Sequence, residues 1–381
     1  MKYRAVLAIF LSSMFVILLF WTLEPVKDTS KPDFFFGVDT AYDDVEDIKN
    51  LVDKVKGYTN FFGIGSAGIT FNITKLDEVC QYVCDSGLYF MVYMHPHDDI
   101  DQSQWVADAR EKWGDCFLGL YVSDEFGGHQ IDCDGAFMPI KEAENYTDAS
   151  NKYIEYVSHY LRHYTEEYMN AGDLLSFTAD YALYWFTYKA GYDVILSEFG
   201  WNHSRLLNIA LNRGAAKMYD REWGAIITWT YREPPYMETA DELYYDMVLA
   251  YLSGAKYVII LNYSQEKCTT YGTLTEEHFD AMKRFWDYIH TNPERPTIYC
   301  STCTQIAYVL PEDYGWGFRG GDDKIWGLWV DEQSTQLGKD VDYLLHNHHL
   351  SLDIIYDDPE CYDKMQIYSK LYFWNGTITT N

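Results

Sequence analysis

Two glutamates are the strongest candidates for chemistry in this sequence, because each directly follows a run of apolar, β-prone residues. Glu125 follows the run Phe117 to Asp124, and Glu198 lies near the end of the run Val194 to Phe199. Hydrolysis of a glycosidic bond needs one carboxylic acid that protonates the leaving oxygen and a second carboxylate that attacks or activates water, held about 5 to 9 Å apart. We therefore predict that Glu125 is a general acid/base, that Glu198 is its carboxylate partner, and that Asp124 orients a sugar hydroxyl or assists its neighbour.

Alternative interpretations of these acids are open. Glu198 would also serve as a cap for a following helix, and the pair Asp124 and Glu125 would also suit a solvated acidic loop. Other strand-end residues are predicted to bind the substrate through hydrogen bonds or through aromatic faces, which suit the CH faces of sugar rings. They are Asp39, His95, Asp180, Trp201, Trp229, Tyr231, Glu233 and Asn262.

A metal site is the main chemical alternative. The segment His95-Pro96-His97-Asp98-Asp99 has ligands of the kind that zinc or manganese binds, and His129 and His203 follow other predicted strands. A further histidine cluster, at 346–349, is better explained as the solvated end of a helix. We predict no metal and no cofactor.

The elements that must position these residues alternate regularly. Eight short β-prone runs are separated by segments of helical period, such as Val45 to Val55 and Leu76 to Val83, which is typical of a parallel α/β fold. Eight such units in about 260 residues match a closed (β/α)8 barrel, also called a TIM barrel, whose catalytic residues lie at the carboxyl ends of the strands. An open doubly wound sheet is disfavoured, because no Gly-rich turn follows the first strand. The predicted strands are Phe34 to Thr40, Tyr58 to Gly65, Leu88 to Met94, Phe117 to Asp124, Leu174 to Tyr181, Val194 to Phe199, Gly224 to Tyr231 and Tyr257 to Tyr263.

We predict three regions along the chain: an N-terminal anchor and linker at 1–30, the barrel at 31–296, and a small α/β domain at 297–381. The small domain is predicted from a helix at Gly338 to Leu345 and four strands. The predicted strands are Gln305 to Leu310, Ile325 to Val330, Leu352 to Tyr356 and Ser369 to Trp374.

The apolar run Ala5 to Leu23 is long enough to cross a bilayer, since nineteen residues at about 1.5 Å each span roughly 28 Å. It is predicted to be a membrane anchor or, alternatively, a cleaved signal peptide. Lys2 and Arg4 precede it, so either interpretation exports the rest of the chain to the cell surface or the medium. Five Asn-x-Ser/Thr sequons, at Asn72, Asn145, Asn202, Asn262 and Asn375, and an even count of 8 cysteines agree with export and with disulfides. A formal charge of -29 repels phosphate backbones, so nucleic acid is not a predicted partner.

The barrel pattern, the segment Asp124-Glu125-Phe126-Gly127-Gly128 and the segment Ser197-Glu198-Phe199-Gly200 together resemble the (βα)8-barrel glycoside hydrolase superfamily over residues 33–294. The order of elements after the barrel is similar to the flavodoxin-like or glutamine-amidotransferase-like module of some β-galactosidase families. The resemblance implies an oligosaccharide or polysaccharide substrate and a two-carboxylate mechanism.

The sequence departs from the large retaining clan of that superfamily, which places its acid/base after an asparagine on strand four and its nucleophile on strand seven. Here Ser123-Asp124 precedes Glu125, and strand seven is predicted to end in Trp229-Thr230-Tyr231, so Glu233 would substitute only if its loop folds inward. Acids on strands four and six resemble α-galactosidase-type barrels, and an Asp-Glu pair resembles substrate-assisted hexosaminidases. A non-catalytic glycan-binding or envelope protein and a metal-dependent deacetylase or amidohydrolase are the alternatives.

Overall fold

A computed structural model describes residues 31–94, 103–132, 137–165, 174–263, 271–294, 306–320 and 323–380. Eight parallel strands form a closed barrel in sequence order, with β1 paired to β8. The predicted barrel is thereby confirmed. Its strands are β1 (Phe35–Ala41), β2 (Phe61–Ile64), β3 (Tyr89–Met94), β4 (Phe117–Val122), β5 (Leu175–Asp180), β6 (Val194–Phe199), β7 (Glu222–Ile227) and β8 (Tyr257–Tyr263).

Aromatic rings fill much of the barrel interior. Phe35 stacks on Tyr257 with ring centroids 5.1 Å apart, and Phe177 meets the same tyrosine edge-on at 5.2 Å. Aliphatic residues such as Leu196 and Ile259 complete this inner cluster. The interior is therefore a packed core that supports the carboxyl-end face from below.

Helices cover the outside of the barrel, and their capping and periodicity explain where they form. In α1 (Val45–Val55), the Asp44 side chain accepts hydrogen bonds from two first-turn amides, and Ile48, Leu51, Val52 and Val55 are buried on one face. Between β2 and β6 lie α2 (Ala67–Thr70), α3 (Ile73–Asp85), α4 (Ser103–Trp113), α5 (Phe126–Asp132), α6 (Met138–Lys141), α7 (Tyr146–Thr165) and α8 (Tyr184–Lys189), after α1 (Val45–Val55). They are followed by α9 (Arg205–Tyr219), α10 (Ala240–Leu252) and α11 (Glu276–Thr291).

A small four-stranded sheet follows the barrel, in the order β10-β9-β11-β12. Its strands are β9 (Ile306–Leu310), β10 (Leu352–Tyr356), β11 (Lys370–Phe373) and β12 (Ile378–Thr380), with helix α12 at Gln333–His348. It packs on the barrel as part of one compact unit, Phe34–Asn381. The similarity to a flavodoxin-like or amidotransferase-like module is not confirmed.

The predicted strand Ile325 to Val330 is wrong. Ile325 and Trp329 form only an isolated bridge across a turn. Trp326 is fully buried and contacts Phe186 of α8, with ring centroids 4.7 Å apart. The apolar residues there reflect contact with the barrel and not a sheet face.

A buried ion pair joins the small sheet to the barrel. Arg213 of α9 donates to Asp353 of β10 at 2.7 Å and to the carbonyls of Leu350 and Leu352. Lys217 donates to the other oxygen of Asp353, also at 2.7 Å. Burial raises the pKa of Asp353, but the two cations outweigh it and hold that pKa below its ordinary value.

Several predictions concern export. The segment Ala5 to Leu23 lies outside the described residues, and within those residues no helix has the length and apolar character needed to cross a membrane. Cys84 and Cys116 form a disulfide, with Cα atoms 5.8 Å apart, whereas the thiols of Cys80 and Cys361 are free and buried. Asn262 is fully buried, so its sequon is not open to a glycan; the asparagines of the other four are exposed.

Candidate active site

A cavity of about 630 Å³ opens at the carboxyl ends of the barrel strands, a size typical of small-ligand sites. Most of the residues predicted from the sequence line it. They are Asp39, Asp124, Glu125, Glu198, Trp201, Trp229 and Tyr231. Tyr93, Tyr121 and Arg232 also line the cavity and were not predicted.

The turn after β4 explains how two consecutive acids reach the same cavity. Along a strand, successive side chains point to opposite faces, so Asp124 and Glu125 could not both face the barrel mouth in extended backbone. The strand ends at Val122, and Ser123 and Glu125 adopt left-handed φ values of 54° and 51°. Such backbone costs roughly 1–2 kcal/mol per residue outside glycine, and strain of this kind clusters at functional sites.

Asp180 holds the start of α5 in place. Its two carboxyl oxygens accept hydrogen bonds from the amides of Gly127 and Gly128, at 2.6 and 2.9 Å, and also from Tyr181 and Ala182. Burial raises the pKa of Asp180 to about 7, although the hydrogen bonds from these four amides lower it. Asp180 does not line the cavity; instead of contacting a substrate it supports the turn that carries Glu125.

Glycines are required at the same turn. A Cβ on Gly127 would lie 2.2 Å from the carbonyl oxygen of Ala182, and one on Gly128 would lie 2.1 Å from the ring of Tyr181. The helix start can therefore approach the end of β5 closely enough for Asp180 to reach its amides. Gly127 and Gly128, which belong to the segment that resembles glycoside hydrolases, thus have a direct packing role.

Glu198 and Glu125 form a hydrogen-bonded carboxyl pair. Glu198 is buried at the end of β6, and Glu125 is exposed at the cavity. Burial raises the pKa of Glu198 well above its ordinary range, and the charges of Glu125, Asp180 and Asp124 and the hydrogen bond to Glu125 raise it further. Neighbouring atoms of the cavity partly desolvate the carboxyl of Glu125 even though the residue reaches solvent, and this desolvation and the charge of Asp124 raise its pKa, whereas its hydrogen bond with Glu198 lowers it. Glu198 is therefore the protonated partner and donates the hydrogen bond, and the carboxylate of Glu125 accepts it.

Asp39 supplies another buried carboxyl at the end of β1. Burial first, and then the charge of Asp124, raises its pKa to about 7. Its Oδ1 has no hydrogen-bond partner in the part of the chain that the structure describes. The side chain lies against two glycines, since a Cβ on Gly63 or Gly65 would be 2.3 or 2.8 Å from Oδ1. Asp39 is thus mostly protonated below neutral pH.

Aromatic residues form one wall of the cavity. Trp201 has a left-handed φ of 47°, and its amide donates to the carbonyl of Trp229 at 2.6 Å. Trp229 is held edge-on between Tyr236 and Tyr263, at centroid distances of 5.7 and 5.3 Å. Trp201 and Tyr231 are 36% and 46% exposed, so their ring faces are open to a ligand.

Two other predicted substrate residues lie elsewhere. β7 ends at Ile227, four residues earlier than predicted, so Glu233 lies in an exposed loop that does not fold into the cavity. Asn262 is buried outside it and accepts a hydrogen bond from the amide of Thr273 at 3.2 Å, while its neighbour Leu261 lines the cavity. His95 lies outside the described residues, among which no group of three or more His, Cys, Asp or Glu is placed to hold a metal ion.

Sequence signals for the missed residues were weak. Tyr93 and Tyr121 lie in β3 and β4, with ring centroids 5.5 Å apart beneath the acids. They were indistinguishable from core residues because both faces of a barrel strand are apolar. Arg232 follows a strand end by several residues, a position with no regular geometry.

No protein-family model matches the chain, and no curated protein matches it. Among solved structures, α-L-fucosidase isoenzyme 2 from Paenibacillus thiaminolyticus is 10% identical, with a TM-score of 0.53 over 90% of this chain and 60% of the fucosidase. This chain thus spans less than two thirds of that enzyme's length. The catalytic module of a family 98 glycoside hydrolase from Streptococcus pneumoniae is 11% identical, with a TM-score of 0.42 over 88% of this chain and 68% of that one. At 10% identity the likeness to the fucosidase shows the barrel fold alone.

Proposed function

We propose that the protein is a glycoside hydrolase whose cavity binds part of an oligosaccharide or polysaccharide. One observation carries the proposal: two glutamates with raised pKa values lie side by side at a barrel mouth, in a cavity that also has exposed aromatic side chains. An acid beside a carboxylate is the pair that glycosidic bond hydrolysis requires. The aromatic wall suits the apolar faces of sugar rings.

The pKa order supports specific roles for the pair. Glu198 holds the proton and is the general acid, and Glu125 is the carboxylate that attacks the sugar or activates water. These roles are the reverse of those expected from the sequence. Asp39 and Asp124 line the same cavity, and we expect them to form hydrogen bonds with sugar hydroxyls.

The pair must separate before catalysis. Hydrogen-bonded carboxyl groups are closer than the ~5 to 5.5 Å of retaining hydrolases and the ~6.5 to 9.5 Å of inverting ones. Glu125 is the exposed partner, so rotation of its side chain is the motion that admits a sugar between the two groups. The same closeness favours a second candidate function, in which the barrel binds glycans without cutting them.

Release of reducing sugar from a panel of glycans by the full-length protein tests the proposal. Glu125→Gln and Glu198→Gln each remove one carboxyl with little change of shape and are expected to lower kcat about 10²- to 10⁴-fold, the usual contribution of an acid or base. The matched control is Glu155→Gln, on the outer helix α7, which is expected to leave kcat unchanged. Binding of glycans without any release of sugar would favour the second candidate, and release unaffected by both active-site variants would refute the assignment.

We also propose that the barrel acts outside the cytoplasm, either anchored by Ala5 to Leu23 or secreted. The Cys84–Cys116 disulfide and the four exposed sequons support this location. A mass decrease of the protein from its native host on enzymatic removal of N-glycans would agree with it, as would finding the chain at the cell surface or in the medium.

A further inference from the structure

A second cavity adjoins the candidate active site. Its volume is about 660 Å³, again within the range of small-ligand sites. Trp201 and Tyr231 line both cavities, so a ligand that extends past these two side chains would enter the second cavity. We call this cavity the acidic pocket, because the acids on its lining are Glu238, Asp241, Glu242 and Asp246.

The acidic pocket has more negative than positive charge. Arg205 donates to Asp246 at 2.8 Å and to Glu238 at 3.2 Å, so one guanidinium serves two carboxyls that are each 5% exposed. Asp241 pairs with Arg284 at 3.2 Å, but that pair lies in solvent, where it neutralises little. Glu242 adds a further negative charge at the pocket edge.

Three residues that line the acidic pocket each have a buried polar atom without a hydrogen-bond partner among the described residues. Oε1 of Glu238 is buried and has no hydrogen-bond partner among the described residues, and the same is true of Oγ1 of Thr230 and Nδ1 of His203. All three residues line the pocket. A buried polar group without a partner costs roughly 1–3 kcal/mol, so these atoms indicate a site that a polar ligand completes.

We propose that the acidic pocket binds the protonated amino group of an amino sugar that neighbours the sugar held at Glu125 and Glu198. This inference rests on the proposed glycoside hydrolase function and narrows its substrate to glycans that contain free amino groups. An ammonium group supplies a positive charge and three donors for the excess carboxylates. The exposed rings of Trp201 and Tyr245 supply faces that attract a cation and cover a sugar ring.

The charge balance supports the assignment. Burial and the charge of Asp246 raise the pKa of Glu238 to about 8, because Arg205, which lowers that pKa, is shared with Asp246. A bound ammonium provides the missing counter-charge, so Glu238 can ionise and make a charge-assisted hydrogen bond. An N-acetylated sugar has no charge at that nitrogen and would leave Glu238 without this partner.

Calorimetric titration of the full-length Glu198→Gln protein with two probes tests the inference, since this variant is expected not to cut them. The probes are the tetramer of glucosamine and the tetramer of N-acetylglucosamine at neutral pH. We expect the free-amine tetramer to bind at least about tenfold more tightly, and this preference to shrink at high salt. Added Glu238→Gln or Glu242→Gln should reduce the preference several-fold.

Both added substitutions keep the local hydrogen bonds, because glutamine accepts from Arg205 and also suits the capping box that Glu242 forms with Thr239. The control is Glu155→Gln, which makes the same substitution on the outer helix α7 and should leave the preference unchanged. Equal binding of the two tetramers, or an equal effect of the control, overturns the inference. So does equally tight binding of a lysine tetrapeptide, because the site would then recognise any ammonium group.

The outcomes separate this inference from the proposed function. If N-acetylated glycans are cut by the wild-type protein with no preference for free amines, the inference fails and the hydrolase stands. If the free-amine tetramer binds with the expected preference but no glycan is cut, the hydrolase fails and the amine-binding pocket stands.

Discussion

Replacing Asp39 with asparagine is expected to stabilise the protein at alkaline pH far more than at acidic pH. Asp39 has a pKa of about 7 in the folded protein, against an ordinary value of 3.8. Below about pH 4 both the folded and the unfolded states hold the proton. As the pH rises from there to about 7, the unfolded chain releases its proton while the folded chain keeps it, so the free energy of unfolding falls.

The size of the effect follows from the shift. About three pKa units at 1.36 kcal/mol each give a loss of about 4 kcal/mol once the pH is above 7, of which about 3 kcal/mol falls between about pH 5 and pH 8. The amide of the substituted side chain has no such proton to lose. The difference in the free energy of unfolding between Asp39→Asn and the wild type should therefore grow by about 3 kcal/mol over that interval.

Urea unfolding followed by tryptophan fluorescence at the two pH values measures this difference. The pH dependence of groups that do not interact with Asp39 cancels between the variant and the wild type. Asp241→Asn is the control, because its side chain is 90% exposed, and it should show almost no change with pH. If Asp39→Asn and the wild type have parallel pH dependences, Asp39 is ionised in the folded protein and the reasoning about its burial is refuted.

Three further predictions concern residues that stabilise the fold. Asp180→Asn places an NH₂ group where backbone amides need an acceptor, so it should lower the free energy of unfolding by about 2–3 kcal/mol in urea titrations and reduce kcat, because the turn carrying the candidate glutamate shifts. Arg213→Met leaves the buried carboxylate of Asp353 with one fewer positive charge beside it and should lower the free energy of unfolding by about 3–5 kcal/mol. Combining Arg213→Met with Asp353→Leu should recover much of that free energy in the same assay. Replacing both Cys84 and Cys116 with serine opens a loop of 32 residues, which in the chain-entropy model lowers the free energy of unfolding by about 4 kcal/mol, measurable as a lower Tm.

The barrel was predictable from the sequence because each strand is a short apolar run between segments of helical period. The residues at which the strands end were harder to predict. The residues Thr228 to Tyr231 are β-prone, but they leave the sheet at Ile227 because Trp229 packs between Tyr236 and Tyr263. The contact with Tyr263 joins β8 to the loop after β7, so local propensity could not predict it.

Side-chain direction decided which strand-end acids reached the cavity. Glu198 has the same direction as the interior residues Val194 and Leu196 of its strand. On β5 the interior residues are Phe177 and Ala179, so Asp180 points away from the cavity. The alternation is strict, but both faces of a barrel strand are apolar, so the sequence does not reveal which positions face inward.

The protonation of the candidate pair could not be inferred from the strand positions of its members. Two glutamates with the same intrinsic pKa acquire different roles because Glu198 is buried more deeply than Glu125 and because the charges of Glu125, Asp180 and Asp124 raise the pKa of Glu198 further. Their direct hydrogen bond then lets one proton serve both groups, as in carboxylate pairs that cannot both ionise at short range. If the barrel is the glycoside hydrolase proposed above, a sugar that enters between them would remove that hydrogen bond, so the proton on Glu198 would become available to a leaving group at the same moment that Glu125 loses its donor. In the proposed mechanism, substrate entry and activation of the pair are therefore a single event, and that event depends on the rotation of Glu125.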